Sequence, residues 1–144
     1  MTDRQALATE LNALMAGERC SLLRHLDEAT PYLDAKTYPI WHEITKAAAP
    51  TRDHMQRLAD LFERYDLPAR AGTFDPIVAN YHFSDLPFLL PLLIKELDIR
   101  VQAYARAAAM ADNEQALRDQ LDTLLQENQQ ILDQLQMAQQ KLSA

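Results

Sequence analysis

DLPARAGTFDPIVANYHF, residues Asp66–Phe83, is the stretch on which the architecture turns. It holds Pro68, Gly72 and Pro76 and breaks the helical spacing of apolar residues that runs on either side of it. Proline and glycine punctuate helices because one lacks a backbone N–H and the other carries the largest backbone entropy. At about 3.3 Å per extended residue, the segment can run the length of a helix bundle of roughly 40 Å. It therefore reads as a crossover and not as a hairpin.

The sequence on each side predicts two helices. Helix A is expected over about Asp3 to Thr30, with Leu7, Leu11, Leu14, Glu18, Leu22, His25 and Ala29 recurring at spacings of three and four, and Pro31 ending it. Helix B is expected over roughly Ile40 to Tyr65, its inward line being Ile44, Ala48, Thr51, His54, Leu58, Leu61 and Tyr65. Pro50 falls inside helix B, which predicts a kink near Ala47 or a break with a restart at Thr51.

Helix C is expected from Ser84 as N-cap to about Ala111, through Leu89, Leu92, Leu93, Glu96, Arg100, Ala103 and Ala107. Pro87 is tolerated in its first turn and Pro91 is expected to bend it. After Asp112 and Asn113, helix D carries Leu117, Leu121, Leu124, Asn128, Ile131, Leu135 and Ala138 on one face. Short A–B and C–D connections require antiparallel neighbours. The expected fold is thus all-α, a single four-helix bundle over residues 1–144, in which two antiparallel helix pairs are joined by the long B–C crossover.

Composition agrees and narrows the function classes. The chain has 144 residues with only two glycines, a bias toward helix and away from turn-rich β folds. Its net charge of −7 argues against a nucleic-acid backbone or an anionic membrane surface as partner. The densest apolar run, Leu86 to Ile94, is too short for a bilayer and contains two prolines. MTDRQALATELNALMAGER is interrupted by polar residues every few positions, unlike the apolar centre of a secretory signal. One cysteine, Cys20, excludes an intramolecular disulfide, so a cytoplasmic location is expected.

Four polar residues interrupt the apolar lines at one depth: Glu18 in A, His54 in B, Glu96 in C and Asn128 in D. The strings around them, GERCSLLRHL, TRDHMQRLADL, KELDIRVQAYARAA and LLQENQQILDQL, resemble the ferritin-like, rubrerythrin-type superfamily across nearly the whole chain. That resemblance implies a di-metal centre with one carboxylate on each of two helices and a Glu-x-x-His pair on each of the others.

Carried across, the resemblance makes Glu18 and Glu96 the lone carboxylates. The helix B pair becomes Thr51 with His54, and the helix D pair becomes Asn128 with Ile131. A shift by one in helix D gives Glu127 with Gln130. Three ligands of six remain, Glu18, His54 and Glu96, too few carboxylates to neutralise two divalent ions. They could hold one iron, manganese or zinc ion, with water or Glu127 completing its shell.

Without a metal, Arg100 would pair with Glu96 one turn away, and His54 or His25 with Glu18. The incomplete ligand set favours this metal-free core, with no cofactor and no catalytic residue. The chain then reads as a structural or interaction module, not as an enzyme, and a homodimer is compatible with it. No small-molecule substrate is legible. Gly-rich phosphate loops, zinc-type cysteine pairs and Gly-x-Ser-x-Gly elbows are all lacking.

Overall fold

The computed structural model describes residues 3–26, 31–70, 84–111 and 113–144. Among these residues the chain is all-α, with α1 (Asp3–Arg19), α2 (Thr37–Ala48), a 3-10 segment (Ala49–Asp53), α3 (His54–Arg64), α4 (Leu86–Met110) and α5 (Gln115–Ser143). Among the described residues the one β feature is an isolated bridge between Tyr32 and Asp85. None of these helices is long and apolar enough to cross a membrane. Most of the segment expected as a crossover, residues 71–83, lies outside the described residues, and so do Ala29, Thr30 and Asp112.

Ion pairs and hydrogen bonds between helices fix their directions. Arg4 bonds Glu114 at 2.7 Å and the Tyr65 carbonyl, which brings the start of α1 to the end of α3 and the start of α5. Farther along, Glu10 pairs with Arg106, and Gly17 with Arg100, so α1 runs antiparallel to α4. Glu127 meets Arg57, while Lys141 meets Glu43, so α5 runs antiparallel to the α2–α3 rod. The start of α4 lies beside Tyr32, just before α2, since the Tyr32 N–H donates to the Ser84 carbonyl at 3.0 Å. Hence α4 runs parallel to α2 and α3, and α1 runs parallel to α5.

Helix A is shorter than its apolar spacing predicts, ending at Arg19 instead of Thr30. The cause is tertiary. The Leu22 N–H donates to Glu96 Oε1 at 3.0 Å, and the Gly17 carbonyl accepts from Arg100 at 3.1 Å. His25 Nε2 donates to the Arg19 carbonyl at 3.0 Å, and the Arg24 N–H to Ser21 Oγ at 3.2 Å. Groups that would extend the helical ladder are thus satisfied from outside it.

Pro50 breaks helix B, and the restart comes at His54 and not at Thr51. Because Pro50 has no N–H, the Lys46 carbonyl is taken by Ala49, three residues on, which tightens the turn to 3-10 geometry. Thr51 Oγ1 closes that turn by donating to the Ala48 carbonyl at 2.7 Å. Helix C is capped by Asp85, not Ser84: its carboxylate accepts from the Phe88 N–H at 2.9 Å. Helix D keeps its full expected inward face, and all seven residues named for it are buried.

The apolar interior falls into two clusters. One gathers Leu22, Ile44, Leu89, Leu93, Leu97 and Leu135, and the other Leu7, Leu11, Leu58, Leu61, Leu117 and Leu121. Partly buried Leu125 packs against both. Between them, on every rod, lies a polar residue.

Candidate functional site

That polar layer contains Glu18, Thr51, His54, Arg100 and Asn128, all buried. Each follows from helical phase: Glu18 lies between Leu14 and Leu22, His54 between Ala48 and Leu58, and Asn128 between Leu124 and Ile131. Glu18 is at the centre. Its Oε1 accepts from the Tyr104 hydroxyl at 2.9 Å, and lies 3.6 Å from Arg100 Nε and 3.8 Å from His54 Nδ1.

Of the three residues named from sequence as ligands, Glu18 and His54 come together and both have no exposed side-chain surface. Glu96 joins them only through Arg100, whose guanidinium donates to Glu96 Oε1 at 3.2 Å. The Glu96 side chain is 28% exposed because Leu97, Arg100 and Tyr104 carry the inward line of α4 at that level. Leu92, also assigned to that line, is only partly buried.

Arg100 therefore stands between two carboxylates, donating to the Gly17 carbonyl as well. A dication sharing Glu18 and Glu96 would sit against a fixed guanidinium charge. Nor can the remaining positions complete a di-metal shell. Thr51 Oγ1 donates to the Ala48 carbonyl and Asn128 Nδ2 to the Leu124 carbonyl at 2.8 Å, and neither can supply the charge of a missing carboxylate. The donor set does not fit two metal ions.

A second ionic group lies on the other side of His54. Its Nε2 is 3.3 Å from Glu127 Oε1, which also accepts from Arg57 at 2.8 Å. Arg57 lies 3.9 Å from Asp53 Oδ1. Hydrogen bonding to Arg57 holds the Glu127 carboxyl below its ordinary range and raises the Arg57 guanidinium correspondingly. Polar groups thus alternate across the molecule: Glu96, Arg100, Glu18, His54, Glu127, Arg57, Asp53.

Among the described residues, buried polar side-chain atoms without a hydrogen-bond partner are Glu18 Oε2, His54 Nδ1, Glu96 Oε2, Arg100 Nη1 and Asn128 Oδ1. All five belong to this line of groups or to Asn128 beside Glu127. An unsatisfied buried group costs about 1–3 kcal/mol, so the layer is where the interior departs furthest from optimal packing.

Asp53, His54 and Glu127 also present one ligand-type atom each within 4.8 Å of one another. Asp53, Arg57 and Tyr104 were not singled out as partners of His54 and Glu18 by helical spacing, whereas Glu127 was named as completing the shell of an ion shared with them. Tyr104 had a legible signal, lying four residues after Arg100 on the same line. The signal for Glu127 was the alternative register in helix D, and its contact is with His54 Nε2. No protein-family model, curated protein or solved structure matches this chain.

Proposed function

We propose that the chain is a ferritin-like bundle in which an arginine-held ion-pair layer stands in place of the di-metal centre, and that it serves as a structural or interaction module, not as an oxidation catalyst. The position of the Arg100 guanidinium between Glu18 and Glu96 carries this reading. A guanidinium fixed on the protein interacts with both carboxylates that the ferritin-like pattern would devote to metal, offsetting one of their two charges without an open coordination position. Removing one partner of such a buried group is costly, so the arrangement is retained once present.

Helix directions support the ferritin-like part of the proposal. α3 ends near the start of α1 and α4 starts beside Tyr32, at the opposite end of the rods, and these directions are what support a long connection between α3 and α4. Such a connection would be the crossover by which a ferritin-like bundle differs from the up-down-up-down type.

Protein purified from iron-replete growth is expected to hold no diiron centre, and aerobic addition of ferrous iron should produce no oxo-bridged diferric absorption. Two iron ions per chain that are lost on Glu18→Gln substitution would overturn the proposal.

A further inference from the structure

His54 is a fully buried imidazole with a carboxylate opposite each ring nitrogen, Glu18 at 3.8 Å from Nδ1 and Glu127 at 3.3 Å from Nε2. A neutral ring carries one N–H, so in either tautomer the other nitrogen directs a lone pair at a carboxylate oxygen. Such an arrangement gains from a cation at the nitrogen that lacks hydrogen. On the Nδ1 side Arg100 already serves Glu18. On the Nε2 side the donors are His54, Glu127 and Asp53, with Arg57 against Glu127.

From this geometry we infer that Nε2 of His54, with Glu127 and Asp53, forms a single-ion site for a zinc-like divalent transition metal, in competition with Arg57. It faces outward from the polar layer, on the opposite side of the ring from the centre that a ferritin-like pattern uses. Tetrahedral zinc bonds of about 2.0–2.2 Å set neighbouring donors roughly 3.4 Å apart. The Nε2 to Oε1 separation of 3.3 Å already meets that requirement. Asp53 is exposed at the end of the 3-10 segment and can close the remaining gap by a rotamer change.

Charge favours the same outcome. Two carboxylates neutralise the dication, the imidazole selects a transition metal over magnesium or calcium, and water fills the fourth position. Shifting the ring hydrogen to Nδ1 turns it toward Glu18, 3.8 Å away, and a closer approach of the two would form the carboxylate–histidine–metal arrangement that orients metal-binding imidazoles. Glu18 is itself held by Tyr104 and Arg100. Arg57, with its side chain 28% exposed, has a path to solvent when the ion enters.

Titration of the full chain with Co²⁺, followed by its visible absorption, and Zn²⁺ displacement followed by calorimetry test the site. One ion per chain is expected, with the intense bands of a four-coordinate Co²⁺ centre. Arg57→Met should tighten binding at least tenfold by removing the competing cation. Glu127→Gln should weaken it at least tenfold, and His54→Ala should abolish the bands. Should His54→Ala fail to fold, the Arg57 and Glu127 variants decide alone, since both side chains lie at the rim. Unchanged affinity in either of those two, or no binding by the wild type and Arg57→Met, would overturn the inference. A diiron centre at Glu18 would overturn the preceding proposal and not this one, because the two use opposite ring nitrogens.

Discussion

Glu18 is a carboxylate without solvent exposure, and its single oxygen Oε1 faces three different side chains. Of these, Tyr104 makes the shortest bond, and its hydroxyl is a neutral donor. Burial, followed by the Glu18 charge, pushes the Tyr104 phenol far above its ordinary value of 10.0. The sign follows directly: below pH about 10 both folded and unfolded chains hold the phenol proton, whereas above it only the unfolded chain releases it. Tyr104 therefore contributes stability that is lost as pH rises beyond 10. Tyr104→Phe is expected to cost about 1–3 kcal/mol at neutral pH, through the donor lost by Glu18. It should also flatten the alkaline limb of a pH series of urea denaturation curves. A variant that loses stability with pH as steeply as the wild type would show that Tyr104 does not govern that limb.

At the scale of elements, ends and breaks matter more than helical propensity. α4 starts where Asp85 caps it, and the Asp85 carboxylate satisfies the Phe88 N–H. Asp85→Ala is expected to reduce stability by about 1 kcal/mol in urea denaturation, with Asp85→Ser recovering most of the loss. Equal stability of the Ala variant would mean that water serves the free N–H as well. α2 gains a similar device from Asp34, whose Oδ1 accepts from the Thr37 N–H at 2.8 Å and whose own N–H donates to Thr37 Oγ1. Helix B, by contrast, is divided at Pro50 by the loss of one donor. The outcome at both places follows from counting backbone hydrogen bonds, and the 3-10 turn that ends at Asp53 delivers His54 to the interior.

Over the whole molecule, two apolar clusters are separated by a layer in which acidic and basic groups are paired. This organisation predicts different coupling within the layer and across it. Leu93→Ala and Leu117→Ala, one in each cluster, should each cost about 2–5 kcal/mol and add to within about 0.5 kcal/mol when combined. Glu18→Gln and Arg100→Met should behave otherwise. Each alone strands a buried polar partner at a cost of about 3–5 kcal/mol, and the double variant should lose less than the sum by at least about 1 kcal/mol. Additivity of the charged pair in denaturation experiments would show that Arg100 and Glu18 are energetically independent despite their 3.6 Å separation.

The all-helical class, the inward face of helix D and the mid-depth burial of Glu18, His54 and Asn128 were legible from residue spacing alone. Helical phase is a local property: a residue three or four positions from a buried leucine shares its face whatever packs against it. Other features rest on groups distant in the chain. Leu22 loses its place in helix A because Glu96, 74 residues away, takes its N–H. Glu96 lies at the edge because the wide buried face of α4 gives the inward place to Leu97, and His54 meets Glu127 because α5 runs antiparallel to α3. Spacing sets which residues enter the interior; only packing sets which of them meet, since a hydrogen bond is decided within a few tenths of an ångström by backbones that sequence distance does not relate.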